Sequence, residues 1–309
     1  MVGDIGGTNA RLALAISASG RLTGERTYAC ADVGGFEPIL ADFLAKANAK
    51  VAGGCLAVAG PIADDGRSAR LTNLPWAIDA DALAARHGLG RLILANDFTA
   101  AALGVTACAP ASLIALQAGE PLADAPCLVV GAGTGLGMAV LLPDRGRWRV
   151  LPGEGGHVAF APADALQADL WRQLSRRQGR VTWESVVSGP GLEAIYRFLA
   201  PMASPASAAE IAALAAADPP SFARQAVNLF LAAYGAFAGD MALAVLARGG
   251  VFLAGGIAAR LADQLPASLF LQAFNAKAEH AGLAARMPVS VATDPVLGLR
   301  GAAMLCKYC

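Results

Sequence analysis

Gly3-Asp4-Ile5-Gly6-Gly7-Thr8-Asn9-Ala10-Arg11 combines residues that can hold a phosphate. Glycines in a hairpin turn leave successive backbone N–H groups facing outward, and such a run makes a concave anion site. Thr8 and Asn9 add side-chain donors. Asp4 cannot face a phosphate directly, so it implies a cation between the two, Mg2+ held through water. A second set is Gly131-Ala132-Gly133-Thr134-Gly135-Leu136-Gly137. It is not the dinucleotide fingerprint G-x-G-x-x-G, because Leu136 stands where the third glycine belongs. The chain has no Gly-Lys pair, which excludes the P-loop, and it lacks the protein-kinase motifs. The third set is Ala254-Gly255-Gly256-Ile257 after a buried strand, where glycine lets a flat base or a ribose approach the backbone.

Between these turns lie polar residues suited to a neutral polyol, which needs donors and acceptors at each hydroxyl. Asn96-Asp97 stands at the C-terminal end of a strand, where α/β sites form. Glu154 and His157 flank two glycines, and Glu184 precedes Ser188-Gly189-Pro190-Gly191. Each has a plainer reading. Asp97 could cap a helix beginning at Phe98, and His157 could be a satisfied core histidine. Glu154 and His157 are too few for catalytic zinc, which takes three protein ligands, and the Gly-Gly loop removes the helix that would align them. His87 and His280 read as surface or capping residues. Trp76, Trp148 and Trp171 read as packing, and the arginines at 172, 176, 177 and 180 as the solvated face of a helix. Cys306 and Cys309 form a C-x-x-C at the tail, without the strand and helix that a redox pair requires.

The elements around these residues alternate. Residues 2–16 read strand, glycine turn, strand, and 127–142 repeat that order. Helices are expected over 36–50, 79–87, 98–104, 204–217, 221–247, 257–265 and 298–307, the second opened by Asp79 and closed by Gly88. Strands are expected over 54–59, 92–95, 251–254 and 289–291. A glycine hairpin opening each half suggests two related α/β halves, joined near Ala109-Pro110-Ala111.

The 24 basic residues equal the 24 acidic ones, so the chain lacks the positive excess that nucleic acid or an anionic membrane surface would favour. Charged residues are only 16%, against about 25% on average, and the mean hydropathy is +0.50. The run 125–143 approaches the length of a membrane span, but its centre is the second glycine turn. No basic and apolar leader opens the sequence, so the expectation is a cytoplasmic protein with reduced cysteines and no membrane partner.

Taken in order, GDIGGTNARLAL, LANDFTAAALG, GAGTGLG, LPGEGGHVAFAP, SGPGLEAIYRFL and VFLAGGIAARL closely resemble the bacterial glucokinase family. The three turns resemble the two phosphate loops and the adenosine loop of the wider actin, hexokinase and heat-shock-chaperone ATPase superfamily. The resemblance runs from residue 2 to about 300. It implies an α/β fold of two ribonuclease-H-like domains with a central cleft. The small domain would be 1–107 completed by 290–309, and the large one 108–289. It implies transfer of the γ-phosphoryl group of ATP to the 6-hydroxyl of glucose, with Asp97 as base. Asn96, Asp97, Glu154, His157 and Glu184 would hold the sugar. ATP would lie on Gly3, Asp4, Ile5, Gly6, Gly7, Thr8, Asn9, Gly131, Gly133, Thr134, Gly135, Gly255 and Gly256, with Mg2+ as its companion ion. A homodimer is implied as well. The alternatives are a kinase for mannose, fructose or an amino sugar, a non-catalytic sugar sensor, or an actin-like assembly ATPase. Two departures stand out: only Met1 and Val2 precede Gly3, so the natural start lies upstream or the first strand is short, and the C-terminus is brief.

Overall fold

Each half of the chain starts by folding a glycine turn between two apolar strands. The computed structural model describes residues 1–16, 19–47, 49–265 and 268–308. Cys309, and with it the C-x-x-C, lies outside them, as do Asn48 of the expected helix 36–50 and Ser17, Ala18, Pro266 and Ala267. The chain divides into two compact units, Met1–Ala109 with Asp294–Cys309, and Pro110–Thr293.

The first unit contains β1 (Val2–Ile5), β2 (Asn9–Ala15), β3 (Leu22–Ala29), α1 (Phe36–Lys46), β4 (Gly53–Val58), β5 (Ser68–Arg70), β6 (Ala77–Asp79), α2 (Ala80–His87), β7 (Arg91–Asn96) and α3 (Asp97–Val105). Its main sheet has the order β3-β2-β1-β4-β7. β1, β4 and β7 run parallel, while β2 and β3 are antiparallel additions. The parallel strands are apolar on both faces because both faces are covered. Leu56 and Val58 pack with Phe36, Ile39, Leu40 and Phe43 of α1, whereas Cys55 packs on the opposite side with Leu299, Ala302 and Ala303. α2 has the expected punctuation: the Asp79 carboxylate accepts from the Ala82 N–H, and Gly88 closes the helix in the left-handed conformation.

The second unit contains β8 (Leu113–Gln117), β9 (Cys127–Ala132), β10 (Leu136–Asp144), β11 (Arg147–Gly153), α4 (Ala165–Gln178), α5 (Gly189–Leu199), α6 (Ala208–Ala217), α7 (Phe222–Val245), β12 (Gly250–Ala254), α8 (Gly255–Arg260), α9 (Leu269–Asn275), α10 (Ala281–Ala285) and β13 (Val289–Ala292). Its sheet has the order β11-β10-β9-β12-β13-β8. Apart from the extra edge strand β8, this repeats the first unit's arrangement: three antiparallel strands, then two more parallel to the first. A final helix, α11 (Leu297–Tyr308), returns to the first unit.

Among the described residues, α7 is the one helix long and apolar enough to cross a bilayer, and most of that stretch is buried. It is the core helix of the second unit, where Phe230, Tyr234 and Phe237 are fully covered and the Tyr234 hydroxyl donates to the Val130 carbonyl. Several expectations shift. α6 begins at Ala208 rather than 204, fixed by a capping box between Ser207 and Glu210. α5 begins at Gly189 rather than near Leu192, where the sequence suggests a start, because Ser188 caps it and Pro190 occupies its first turn. Gly255-Gly256 opens α8 rather than standing before it as a free turn, and α8 stops at Arg260. Trp76 is buried as expected, Trp148 is half-buried and Trp171 is 39% exposed. His87 is not a free surface residue: its side chain is 16% exposed and lies beside Glu37.

Candidate active site

In the first unit, strand register brings the predicted residues to one edge. Ile5 of β1 pairs with Val58 of β4, and Val58 pairs with Asn96 of β7. The Gly6-Gly7 turn and the Asn96-Asp97 pair therefore leave the sheet at the same level. The turn is tight, with the Gly6 N–H donating to the Asn9 carbonyl. Gly7 must be small because a Cβ there would lie 2.9 Å from the Cβ of Asn73. Thr8 and Asn9 are exposed. Gly3 and Ile5 are placed differently from the expectation. Gly3 lies inside β1, where a Cβ would meet Leu56 and Leu12, and the Ile5 side chain is fully buried in the core. They shape the strand, while Gly6 to Asn9 form the exposed part of the loop.

The plainer reading of Asp97 as a helix cap does not hold, because Asn96 takes that role: its Oδ1 accepts from the Phe98 and Thr99 N–H groups. Asp97 is the first residue of α3, with Oδ1 accepting from the Phe98 N–H. A carboxylate in the first turn is favoured by the helix dipole. Asp4 faces Arg11 across the β1–β2 ladder. Its carboxyl is pushed up to about 6, by burial above all and then by the charge of Asp97, with Arg11 opposing. Arg11 also donates to the Pro295 carbonyl at 2.7 Å. Gly298 of α11 passes so close that a Cβ there would lie 2.6 Å from Asp4 Oδ2.

In the second unit, Gly131 pairs with Ala254, so the Gly133–Gly135 turn and the Gly255-Gly256 pair leave the sheet at a common edge. Gly131 itself is buried within β9. Gly255 has φ +87, and a Cβ there would meet the Ala132 carbonyl at 2.7 Å. Gly133 and Gly256 have open space where a Cβ would stand. After β11, residues Gly155–His157 form one 3-10 turn. The glycines are required for its packing, since a Cβ on Gly156 would lie 2.2 Å from the Leu136 carbonyl oxygen. That turn brings His157 Nε2 to 3.9 Å from Glu154 Oε2, so the loop does align the pair. Both side chains face solvent, 59% and 89% exposed. Glu184 is half-buried, and its Oε2 accepts from the Leu136 N–H at 2.8 Å. Among the described residues no three His, Cys, Asp or Glu side chains gather as metal ligands.

Sequence reasoning missed Asn73, which backs Gly7, and Gly298, which backs Asp4. A glycine one residue into a helix was a readable signal for close approach at Gly298. Nothing local marks Asn73 or the bond from Leu136 to Glu184.

The glucokinase family model matches residues 1–308. A glucokinase from Chromohalobacter salexigens is 41% identical over 307 residues, covering 98% of this chain and 95% of that protein. The crystal structure of glucokinase from an Antarctic psychrotroph aligns with TM-score 0.86 at 32% identity, covering 99% of this chain and 98% of that one. The glucokinase of Balamuthia mandrillaris, solved in complex with glucose, shares the fold at 24% identity with TM-score 0.80, covering 98% and 92%. The fold, the ordered motifs and near-full-length identity converge, and the chain belongs to the glucokinase family.

Proposed function

We propose that this chain transfers the γ-phosphoryl group of ATP to the 6-hydroxyl of D-glucose, with Asp97 as the general base. The observation that carries the reading is the sheet edge shared by Asp97 and the Gly6–Asn9 turn, set by the register of β1, β4 and β7. On this reading a base stands beside a backbone anion loop. Asp97 takes the proton from the sugar hydroxyl as its oxygen attacks the γ-phosphorus, and ADP departs as the β–γ bridge breaks. Fixing one hydroxyl in line with that bond is the task of the sugar-holding residues. Asn96, Glu154, His157 and Glu184 supply donors and acceptors for the ring hydroxyls. Gly6 to Asn9 and Gly133 to Gly135 receive phosphates through backbone N–H groups, and Gly255-Gly256 lies against the nucleoside.

The residues fit a cation carried in with the nucleotide. Mg2+ keeps several waters and takes one or two carboxylates besides phosphates, and Asp4 is a partly buried carboxyl whose ionised form is disfavoured by burial above all and then by Asp97, so a cation beside it would be favourable. Bound there, Mg2+ would neutralise charge on the β- and γ-phosphate oxygens. A homodimer and a cytoplasmic location belong to the same reading. An ADP-release assay over glucose, mannose, fructose and glucosamine, with ATP as donor, tests the reaction. The expected result is the highest kcat/KM for glucose with ATP. A preference for another sugar transfers the reading to that acceptor, and no ADP release with any of them refutes it.

A further inference from the structure

Residues 182–189 are stitched to two loops of the second unit at once. Towards the glycine turn, Glu184 Oε2 accepts from the Leu136 N–H at 2.8 Å, and the Gly189 N–H donates to the Gly133 carbonyl at 2.8 Å. Towards the His157 turn, the Glu184 N–H donates to the Gly156 carbonyl at 2.9 Å, and the Trp183 N–H to the Val158 carbonyl at 3.0 Å. Ser188 fixes this segment from within, donating its hydroxyl to the Glu184 carbonyl at 2.7 Å while capping α5. Gly135 completes the contact: a Cβ there would lie 2.6 Å from Glu184 Oε2. The absence of a side chain at 135 thus makes room for the carboxylate, and the carboxylate in turn occupies an N–H at the end of the turn.

We propose that Glu184 is a positioning residue for the nucleotide in addition to a ligand of the sugar, its carboxylate holding the Gly133–Leu136 turn in the shape that receives phosphate. A carboxylate has two oxygens with room for several hydrogen bonds, so Oε2 serves the turn while Oε1 serves a sugar hydroxyl. Sugar and nucleotide then compete for, or reinforce, the orientation of one side chain. By linkage, an effect of either ligand on Glu184 is an effect on the affinity of the other. This rests on the reading above that Glu184 holds glucose and that the turn receives phosphate.

The test measures ADP affinity of the sugar-free enzyme by calorimetry, alongside the glucose KM, for wild type, Glu184→Ala, Glu184→Gln, Gly135→Ala and His157→Ala. Loss of one hydrogen bond to the turn is worth on the order of a five-fold change. Glu184→Ala is therefore expected to weaken ADP about five-fold and to raise the glucose KM. Glu184→Gln keeps a carbonyl oxygen for the Leu136 N–H and should restore ADP affinity while leaving the glucose KM raised. His157→Ala, which does not touch the turn, should raise the glucose KM alone. Gly135→Ala should raise the glucose KM although it lies in the phosphate turn, and a thermal melt shows whether it is folded. An unchanged ADP affinity in Glu184→Ala, with a raised glucose KM, overturns the positioning role and leaves the sugar role intact. An unchanged glucose KM in Glu184→Ala and His157→Ala overturns the sugar reading instead.

Discussion

The Gly6–Asn9 turn of the first unit and the Gly133–Gly135 turn of the second each join two antiparallel strands at an edge where parallel neighbours also end. Both offer backbone N–H groups, but an acid is attached to each in a different way. In the first unit the acid is part of the strand: Asp4 precedes the turn and is pressed from outside by Gly298. In the second unit the acid comes from 48 residues away, as Glu184 reaches back to the Leu136 N–H. The strand-borne acid has its backbone fixed in the ladder, so it suits a fixed charge. The acid of the second unit is held by bonds to two loops and has a second carboxylate oxygen besides the one on the turn, so it suits a residue shared between two ligands. On the proposed reading, one topology used twice yields a unit that carries the base with one phosphate turn and a unit that carries most of the sugar ligands with the other.

The hardest way to break that division is Asp97→Ala. If the first unit performs the proton transfer, kcat falls by at least about 100-fold, while calorimetry still detects glucose binding. Turnover near that of the wild type would remove Asp97 as the base. A smaller effect is expected from Gly298→Ala, which drives a methyl against the Asp4 carboxyl. Overpacking of this kind costs about 1–3 kcal/mol, measurable by urea unfolding, and should raise the KM for ATP more than that for glucose. No change in either quantity would mean that Asp4 has room to retreat.

The charge on Asp4 gives a signature in pH. Its folded pKa, about 6, lies above the 3.8 of an ordinary carboxyl, so the folded state binds this proton more tightly than the unfolded chain does. Ionised Asp4 therefore destabilises the fold above about pH 6, and the penalty fades as pH falls from 6 towards 4. Asp4→Asn is expected to stabilise the protein at pH 8 by ~1–2 kcal/mol, after allowance for screening at a partly exposed group, and by little at pH 4.5, while weakening ATP use. Equal stabilisation at both values would show that the carboxyl is not strained by its charge.

Much of this division could be read from the chain before any coordinates. Glycines after apolar runs marked all three turns, and Asp79, Gly88 and Phe36 placed helices correctly, because these signals act within a few residues. What escaped was set by pairing between distant segments. β3 is mostly exposed, so no apolar alternation announced it. α4 buries only Gln167, Leu170 and Leu174, so Arg172, Arg176 and Arg177 on its solvated side were visible, while Arg180, expected with them, falls beyond its end at Gln178. Gly3 and Gly131 carry the same residue type as the turns they precede, yet they lie buried within strands. Only the neighbours, Leu56 and Leu12 in the case of Gly3, distinguish a glycine that packs from one that receives a ligand.

That distinction supplies the smallest and most discriminating test. Gly255 cannot take a side chain, because its φ is +87 and the Ala132 carbonyl lies 2.7 Å from the Cβ position. Gly133 and Gly256 can, since no atom lies within 4 Å of theirs. Gly133→Ala and Gly256→Ala should therefore leave the unfolding free energy within about 0.5 kcal/mol of wild type, as expected for substitutions away from packed features. If nucleotide approaches these two backbones, the added methyl occupies space only the ligand needs, and the KM for ATP rises several-fold with glucose KM unchanged. A stable protein with an unaltered ATP KM would show that the second unit's glycines serve the turn alone, and the division between the two units would narrow to Glu184.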